Sequence, residues 1–259
     1  MPPFRLTPSV KIIVIVCVAL FIVQQSIDQF FGGNLQGWLA LVPSGFMFQF
    51  RFWQLFTYAF LHGDVSHLFL NMLMFVFVGS ELEALWGRRR FLQFFFTCTV
   101  GAGLVYLLLQ LFIWKDSGLN SPMVGASGAI YGMLLAYGIL FSERVMLFMM
   151  MFPMKAKHFV LVLGGVELLS SLFSGRGGLA SAAHLGGMVA GFFDLWVRAK
   201  MRQARVTRVQ DLVNPFKSSA KGSKALGNQS KKTSASHLKL VVDRDKKSAG
   251  PSDSGPTWH

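Results

Sequence analysis

A serine with small residues on both sides interrupts the apolar stretch "VGASGAIYGML". The neighbours of Ser127 are Gly125, Ala126, Gly128, Ala129 and, one helical turn later, Tyr131. One interpretation is a membrane helix whose small residues form a packing face, with the serine assisting helix contact. The other interpretation is an exposed nucleophile. The other polar residues of the chain distinguish between these two interpretations of Ser127.

Three more polar side chains lie in apolar stretches, where an unsatisfied polar group is costly. His67 and Asn71 are four residues apart in "HGDVSHLFLNM", so on a helix they share one face, about 6 Å apart along the axis. His184 lies in "SAAHLGGMVAG". With the topology given below, these three residues and Ser127 share a shallow depth on one side of the membrane. Independent packing features have no reason to share a depth, so the set indicates a site.

The chemistry that these residue types permit is nucleophilic acyl transfer. A serine becomes a nucleophile when a base takes its proton, and the neutral imidazole of His184 can act as that base. His67 and Asn71 can both donate hydrogen bonds to the oxyanion that forms. The free N–H groups at the helix start around Ser127 can add to them.

Small and aromatic residues near these groups have expected supporting roles. Gly125 and Gly128 would let a substrate backbone approach closely. Tyr131 would pack against the ring of His184 and fix it. Gly187 and Gly191, with Gly186, would let the helix of His184 approach a neighbouring helix closely.

An acidic third member is less clear from the sequence. Glu83 is twelve residues beyond Asn71, about 18 Å deeper along a helix, and cannot orient His184. We expect Asp64 to cap a helix and Asp194 to be solvated. Glu167 is an intramembrane carboxylate and so a functional candidate, but we expect it to face water or pair with a neighbouring polar group. The expected machinery is a Ser–His dyad.

The composition identifies the elements that must position these residues as membrane helices. Of the 259 residues, 53% are hydrophobic and only 14% are charged, whereas charged residues are about a quarter of a soluble domain. Both cysteines, Cys17 and Cys98, lie in apolar stretches, which predicts buried thiols rather than a disulfide. The fold class predicted is an all-α polytopic membrane protein.

Six stretches are candidates for spans, each needing about 20 mostly apolar residues. They are residues 10–27, 66–85, 91–114, 123–141, 158–173 and 179–197. The first resembles a signal peptide but lacks a small-x-small cleavage site after it, so we expect it to be retained. The segment 145–153 is too short to cross and is interpreted as interfacial or as a lead into the fifth span. The aromatic segment 28–65 is expected to lie in the outer interface.

Basic residues in the loops predict the orientation. Those on the side expected to be cytoplasmic are Arg88, Arg89, Arg90, Arg144, Lys155, Lys157 and the C-terminal segment. Both termini are therefore expected in the cytoplasm, with a short N-terminus at 1–9 and a membrane domain at 10–198. From Arg198 onward, fourteen Lys and Arg stand against four Asp, a net charge of +10. The segment 199–259 is predicted to be a disordered basic tail that favours anionic lipid over nucleic acid.

Taken together, these motifs resemble the rhomboid family of intramembrane serine proteases over about residues 48–197. "GASG" resembles the GxSG nucleophile motif, and "AHLGGMVAG" resembles AHxxGxxxG. "HGDVSHLFLNM" is similar to HxxxxHxxxN. The resemblance implies a six-helix core, with Ser127 as nucleophile and His184 as base.

The resemblance also implies the remaining roles and the substrate class. His67 and Asn71 would line the oxyanion site, His62 would be structural, and Tyr131 would stack on the catalytic histidine. Substrates would be single-spanning helices cut near the outer face, at small residues beside helix-weakening ones. One departure is Gln54, since the outer loop of the family often carries Trp-Arg where this chain has Trp-Gln.

Two other functions stay open at this point. A pseudoprotease of the same fold would bind membrane clients without cutting them, although such relatives have usually lost the nucleophile or the base. A transporter would favour charged or broken helices near the midplane and an internal repeat. No cofactor or metal is expected, the partners expected are transmembrane substrates and lipids, and a bacterial cytoplasmic membrane is the favoured location. The sequence does not indicate the oligomeric state.

Overall fold

The computed structural model describes residues 5–113, 119–148, 152–174 and 178–213. The chain divides into two compact units, residues 1–205 and 206–259. In the described part of the second unit, residues 206–213 are helical. The first unit holds all of the candidate site residues.

Most of the described residues form helices. In chain order the helices are α1 (Pro8–Phe30), α2 (Leu35–Leu39), α3 (Pro43–Phe48), α4 (Gln54–Thr57), α5 (Val65–Met74), α6 (Ser80–Trp86), α7 (Arg88–Phe112), α8 (Ser127–Leu140), α9 (Ala156–Phe173) and α10 (Gly178–Val213). A 3₁₀ turn (Tyr58–Phe60) follows α4, and a π-helical turn (Phe75–Gly79) joins α5 to α6. The result is a mostly helical membrane protein, as the composition predicts.

Four of these helical segments are long and apolar enough to cross a membrane. Among the described residues they are Pro8–Phe30, Val65–Trp86, Arg88–Phe112 and Ala156–Phe173. They match the first, second, third and fifth predicted spans. The count of six spans and the orientation of the termini stay predictions.

The predicted fourth span, 123–141, is shorter than expected. Its helix α8 covers only Ser127–Leu140, because the backbone at Gly125 has φ +116° and cannot continue a right-handed helix. Before it, Met123 pairs with Leu41 in an isolated antiparallel bridge. Fourteen residues rise about 21 Å, less than the roughly 30 Å thickness of the hydrocarbon core.

Two further predictions need correction. The fold is not purely α-helical, since the segment after α8 forms a hairpin of β1 (Val145–Phe148) and β2 (Phe152–Lys155), with Val145 paired to Lys155. Pro153 lies in β2, where a helix could not continue. Residues 199–213 of the predicted tail are helical rather than disordered, because α10 continues to Val213. The rest of the predicted tail, 214–259, lies outside the described residues.

The core combines aromatic packing with close helix contacts. Phe75, Phe91, Phe94 and Phe95 are fully buried, and the rings of Phe75 and Phe95 meet edge to face at 5.6 Å. Both cysteines are buried and free, as predicted. This core fixes α7 between the elements that carry the site.

Two carboxylates accept hydrogen bonds from free backbone N–H groups, one at the start of α1 and one at the start of α5. Glu83 accepts hydrogen bonds from the backbone N–H groups of Ser9 and Val10, at 3.1 Å, which satisfies free donors at the start of α1. At the start of α5, Asp64 accepts from the backbone N–H of His67 at 2.8 Å, the N-cap role expected for it. Neither of these carboxylates is a hydrogen-bond partner of the His184 ring.

Candidate active site

The side chains of Ser127 and His184 are in direct contact. His184 Nε2 lies 2.8 Å from Ser127 Oγ, although the two residues are 57 positions apart in the chain. Ser127 is the first residue of α8, and His184 lies two turns into α10. Both residues are only partly buried. The hydrogen bond is the geometry that a base needs in order to take the serine proton.

The close approach of α8 and α10 sets this distance. A methyl group at Gly187 would lie 1.9 Å from the carbonyl oxygen of Gly128, so the two backbones touch there. One turn further along α10, a methyl group at Gly191 would lie 3.2 Å from Cys98 Sγ of α7. A larger residue at either glycine would push α10 outward and separate His184 from Ser127.

Each of the two glycines beside Ser127 has a packing role in the structure. That they also let a substrate backbone approach stays a prediction. A methyl group at Gly128 would lie 2.4 Å from Ala102 Cβ, so this glycine serves the contact of α8 with α7. A methyl group at Gly125 would lie 2.8 Å from His67 Nε2, so this glycine makes room for the imidazole.

The loop entering α8 is fixed by backbone contacts. Gly125 has a positive φ that favours glycine, and its N–H donates to the carbonyl oxygen of Tyr58 at 2.9 Å. The Tyr58 hydroxyl in turn donates to the carbonyl of Thr99 in α7 at 2.7 Å. The loop before Ser127 is therefore linked through Tyr58 to α7.

His67 and Asn71 lie on α5, facing the same loop. The ring of His67 lies against Gly125, and a methyl group there would be 3.8 Å from Asn71 Nδ2. Asn71 Nδ2 also donates to the His67 carbonyl at 3.0 Å, which orients its amide. Both side chains thus lie near Gly125, two positions before Ser127 in the chain, where an oxyanion hole would be needed.

His62 supports this pair from behind. It is fully buried, and its ring meets that of His67 edge to face at 5.2 Å. Its carbonyl accepts a hydrogen bond from Gln24 of α1 at 3.2 Å. This position fits the structural role that is predicted for His62.

Tyr131 stacks on His184. The ring centroids are 4.2 Å apart and the planes are 7° from parallel. The stacking fixes the plane of the imidazole while leaving both ring nitrogens free to hydrogen-bond. Tyr131 is one turn below Ser127 on α8, so one helix provides both the serine and the platform for its base.

The carboxylate of Glu167 completes the cluster. From the sequence, Glu167 is expected only to face water or to pair with a neighbouring polar group. Glu167 Oε1 lies 3.1 Å from His184 Nδ1 and also accepts a hydrogen bond from the Tyr131 hydroxyl. Glu167 is buried. The neighbour with which it pairs is therefore the candidate base itself, on the nitrogen opposite Ser127.

The other acidic candidates are engaged elsewhere. Asp194 pairs with Arg198 one turn along α10, at 2.7 Å. The pKa of the exposed Asp64 carboxyl lies below its usual value, chiefly because the Ser66 hydroxyl and the His67 N–H donate to it. Among the described residues, no group of three or more His, Cys, Asp or Glu could hold a metal ion.

The outer loop is braced through Gln54 rather than an arginine at that position. Gln54 is fully buried; its Nε2 donates to the carbonyls of Gly37 and Trp38, at 3.2 and 3.3 Å, and its Oε1 accepts from the Val42 N–H at 3.2 Å. Three residues earlier, Arg51 donates to the Gly37 carbonyl at 2.9 Å and its guanidinium lies 4.2 Å from the centre of the Trp38 ring. An amide and a nearby arginine share the bracing here.

Comparisons with known proteins agree with this architecture. The model of the family described as "Rhomboid domain" matches residues 49–201. The chain is 33% identical over 141 residues to RHOMBOID-like protein 5 of Arabidopsis thaliana, covering 54% of this chain and 42% of that protein. It is 30% identical over 159 residues to Rhomboid protein 1, mitochondrial, of Saccharomyces cerevisiae, covering 59% and 44%.

A bacterial relative is also similar. Rhomboid protease GluP of Bacillus subtilis is 27% identical over 152 residues, covering 56% of this chain and 26% of that protein. The chain spans less than half the length of each of these three relatives. Residues 49–201, which the family model matches, include Ser127, His184, Glu167, Tyr131, His67 and Asn71.

Proposed function

This chain belongs to the rhomboid family, and on that premise we propose that it is an intramembrane serine endopeptidase. Ser127 is its nucleophile and His184 its general base. The 2.8 Å contact between Ser127 Oγ and His184 Nε2 carries the proposal. The name of the Bacillus subtilis relative, a rhomboid protease, supports the same activity.

The first half of the reaction forms an acyl-enzyme. Ser127 Oγ attacks the scissile carbonyl carbon while His184 Nε2 takes the hydroxyl proton, which gives a tetrahedral oxyanion. When the oxyanion collapses, the C–N bond breaks and His184 returns the proton to the leaving amine. The C-terminal part of the substrate then departs with a new amino group.

The second half hydrolyses the ester. His184 Nε2 takes a proton from a water molecule, and the hydroxide so formed attacks the acyl carbon. The second oxyanion collapses, and the proton goes from His184 back to Ser127 Oγ. The N-terminal part of the substrate leaves with a carboxylate, and the enzyme is restored.

Both oxyanions are stabilised by donors on α5 and at the start of α8. His67 and Asn71 are placed beside Gly125, two residues before the nucleophile. The backbone N–H groups of the first turn of α8 have no intrahelical acceptor and add to them. Donors of this kind act most strongly where water is excluded.

The proposed topology has six spans with both termini in the cytoplasm. The four long apolar helices supply the first, second, third and fifth spans, while α8 and the N-terminal half of α10 supply the fourth and sixth. Because α8 is only about 21 Å long, its two ends cannot both reach the membrane surfaces. Ser127, at its outer end, then lies below the outer surface but close enough for water to enter.

The substrates are proposed to be single-spanning transmembrane helices. A carbonyl inside a helix is hydrogen-bonded to its own backbone, and in lipid that bond is not readily given up. Cleavage therefore favours a segment that unwinds easily near the outer face, with small residues at the cut. The protein is integral to a membrane; a bacterial cytoplasmic membrane is the proposed one.

A cleavage assay with purified protein tests this function. Wild type, Ser127→Ala and His184→Ala are incubated in detergent with a single-spanning helix that carries small residues near its outer end, and the products are identified by mass spectrometry. The prediction is one cut by wild type and none by either variant. Ser26→Ala is the matched control, since the Ser26 hydroxyl only donates to the Ile22 carbonyl of its own helix.

Two results would contradict the proposal. Cleavage that persists in folded Ser127→Ala protein would exclude Ser127 as the nucleophile. Binding of the helix by wild type without any cut, over a panel of substrate helices with different outer ends, would favour a client-binding pseudoprotease instead.

A further inference from the structure

Glu167 is a buried acid in helix α9, and the residues around it from Phe159 to Leu169 are otherwise apolar. It lies in α9, which is long and apolar enough to span a membrane, and only 8% of its surface is exposed. A carboxylate in such a place is costly unless it is hydrogen-bonded or paired. Its partners therefore show what it does.

Two of the partners of Glu167 belong to the candidate active site, and the third is the hydroxyl of Ser181. Its Oε1 lies 3.1 Å from His184 Nδ1 and accepts a hydrogen bond from Tyr131. Tyr131 thus contacts the imidazole with its ring face and the carboxylate with its hydroxyl. One acid, one phenol and one imidazole from three different helices form a closed set of contacts.

We propose that Glu167 is a positioning residue for His184, the third member of a Ser127–His184–Glu167 arrangement. This inference rests on the proposed protease function. A neutral imidazole carries one proton, and only the tautomer with that proton on Nδ1 leaves Nε2 free to accept from Ser127. A carboxylate beside Nδ1 accepts that proton in a hydrogen bond and so selects the competent tautomer.

The same contact acts later in the reaction. When His184 takes the serine proton it becomes a cation, and the carboxylate lies next to the nitrogen that keeps its proton throughout. Opposite charges attract more strongly in a site with little water than in bulk water. Glu167 does not touch the substrate or become protonated in this account; it acts through His184.

No other described carboxylate is placed to do this. Asp194 is bound to Arg198, Glu83 caps α1, and Glu81 pairs with Arg144. The remaining polar group at Glu167 is the hydroxyl of Ser181, which also donates to Ser170 Oγ at 3.0 Å. A hydroxyl cannot supply the negative charge that a developing imidazolium requires.

Kinetics of conservative variants test the positioning role. Glu167→Gln keeps the size of the side chain but removes its charge, and its amide can donate to Nδ1 and favour the wrong tautomer. We expect kcat to fall by at least about 10-fold, toward the ~10⁴-fold that a wrong tautomer costs in a serine-protease triad, with KM changed less than about twofold. Glu167→Asp keeps the charge and should recover part of kcat.

Two control variants isolate the effect. Glu143→Gln makes the same chemical change at an exposed acid that binds Lys155 and Lys157, and should leave kcat unchanged. Tyr131→Phe keeps the ring that stacks on His184 and removes only the bond to Glu167, so its loss should be smaller than that of Glu167→Gln. An unchanged kcat in folded Glu167→Gln protein would overturn the inference.

A tautomer measurement decides the inference even without cleavage. The protein has six histidines, and ¹⁵N NMR of histidine-labelled protein in micelles reports which ring nitrogen carries the proton. The His184 signals are those missing from His184→Ala, and exposed His158 is an internal reference. We expect a protonated Nδ1 in wild type and a shift toward protonated Nε2 in Glu167→Gln.

The two proposals can fail separately. If wild type cuts no substrate but the tautomer shifts in Glu167→Gln, the protease function fails and the role of Glu167 in orienting His184 stands. If wild type cuts and the His184 tautomer is the same in both proteins, the inference about Glu167 is wrong and the protease function is unaffected.

Discussion

Helices α8 and α9 both reach the candidate active site, but they are held in opposite ways. Nine of the fourteen residues of α8 are buried, and its glycines bring it into backbone contact with α10. Only four of the eighteen residues of α9 are buried, three of them in its first five residues. The fourth is Glu167. The α8 side of the site is fixed by close packing, whereas over its second half α9 has a single buried residue, and that residue is the polar link to His184.

The two regions therefore contribute differently to the site. In the proposed mechanism the nucleophile Ser127 is positioned by glycines, and replacing these with any larger residue displaces the backbone. In the proposed mechanism Glu167 and Tyr131 orient the base His184, and replacing them changes the charge and hydrogen bonding beside His184. Variants in the two regions should therefore fail differently, by loss of geometry in one and by loss of charge in the other.

Removal of an oxyanion donor on α5 is expected to have a larger effect than any packing or capping variant. His67→Ala and Asn71→Ala should each lower kcat by about 10²–10³-fold, since each removes a donor that acts on the transition state. His158→Ala on α9 is the matched control and should leave kcat near wild type, because His158 is exposed and lies at the far end of α9 from Glu167. Steady-state kinetics on one substrate helix check this; equal losses at His67 and His158 would contradict the assignment.

A pair of glycine variants tests the contrast in packing directly. Gly187→Ala places a methyl group 1.9 Å from the Gly128 carbonyl oxygen, so it should destabilise the fold by about 1–3 kcal/mol. It should also lower kcat by about 10²-fold, because displacing a base by about 1 Å has that cost. Thermal unfolding in detergent and the cleavage rate are the two measurements.

Gly165→Ala is the control for that pair. It lies on α9, where a methyl group would meet nothing within 4 Å. Alanine favours a helix over glycine, so stability should stay the same or rise slightly, with kcat unchanged. If both glycine variants lose activity to the same extent, the packing of α9 matters as much as that of α8, and the comparison above is wrong.

The smallest effect is expected at the start of α5, which has a side-chain cap that α9 lacks. Asp64 caps α5, whereas the residue before α9, Lys155, makes no side-chain cap. The pKa of the Asp64 carboxyl is lowered below 3.8 in the folded protein, first by the Ser66 hydroxyl and then by the His67 N–H. Its stabilisation is therefore present above the unfolded-state pKa and lost as the pH falls through the lower, folded-state pKa.

Melting temperatures of wild type and Asp64→Ala check this sign. At neutral pH the wild type should melt slightly higher, and the difference should shrink as the pH falls through and below the folded-state pKa. Asp64→Asn, which keeps the cap without the charge, should keep the part of the stability that does not depend on pH and should lack this pH dependence. A difference that grows on acidification would contradict the capping role.

The sequence was informative about residues whose types are rare in their surroundings. Polar side chains in apolar stretches indicated Ser127, His184, His67 and Asn71, and the four-residue spacings placed pairs of them on one helix face. The structure brings all four together around one loop. The apolar runs also predicted the long helices, since about 20 apolar residues in succession have few other uses.

Other features could not be predicted because they depend on how helices are rotated about their axes. Glu167 was visible as an intramembrane acid, but nothing in the sequence tells which neighbour α9 turns toward, and so its contact with His184 was missed. The prediction that the fourth span begins at residue 123 is wrong, because the positive φ at Gly125 does not fit a right-handed helix. The hairpin at Val145–Lys155 was missed because short apolar runs do not distinguish a strand from a helix.

The most direct test of the central claim is covalent labelling of the serine, which needs no knowledge of the substrate. Purified protein is treated with a fluorophosphonate, and the modified peptide is mapped by mass spectrometry in wild type and His184→Ala. An activated nucleophile predicts one adduct, on Ser127, that is lost when His184 is removed. An adduct on Ser127 at the same rate in folded His184→Ala protein, or none in folded wild type, would contradict the account.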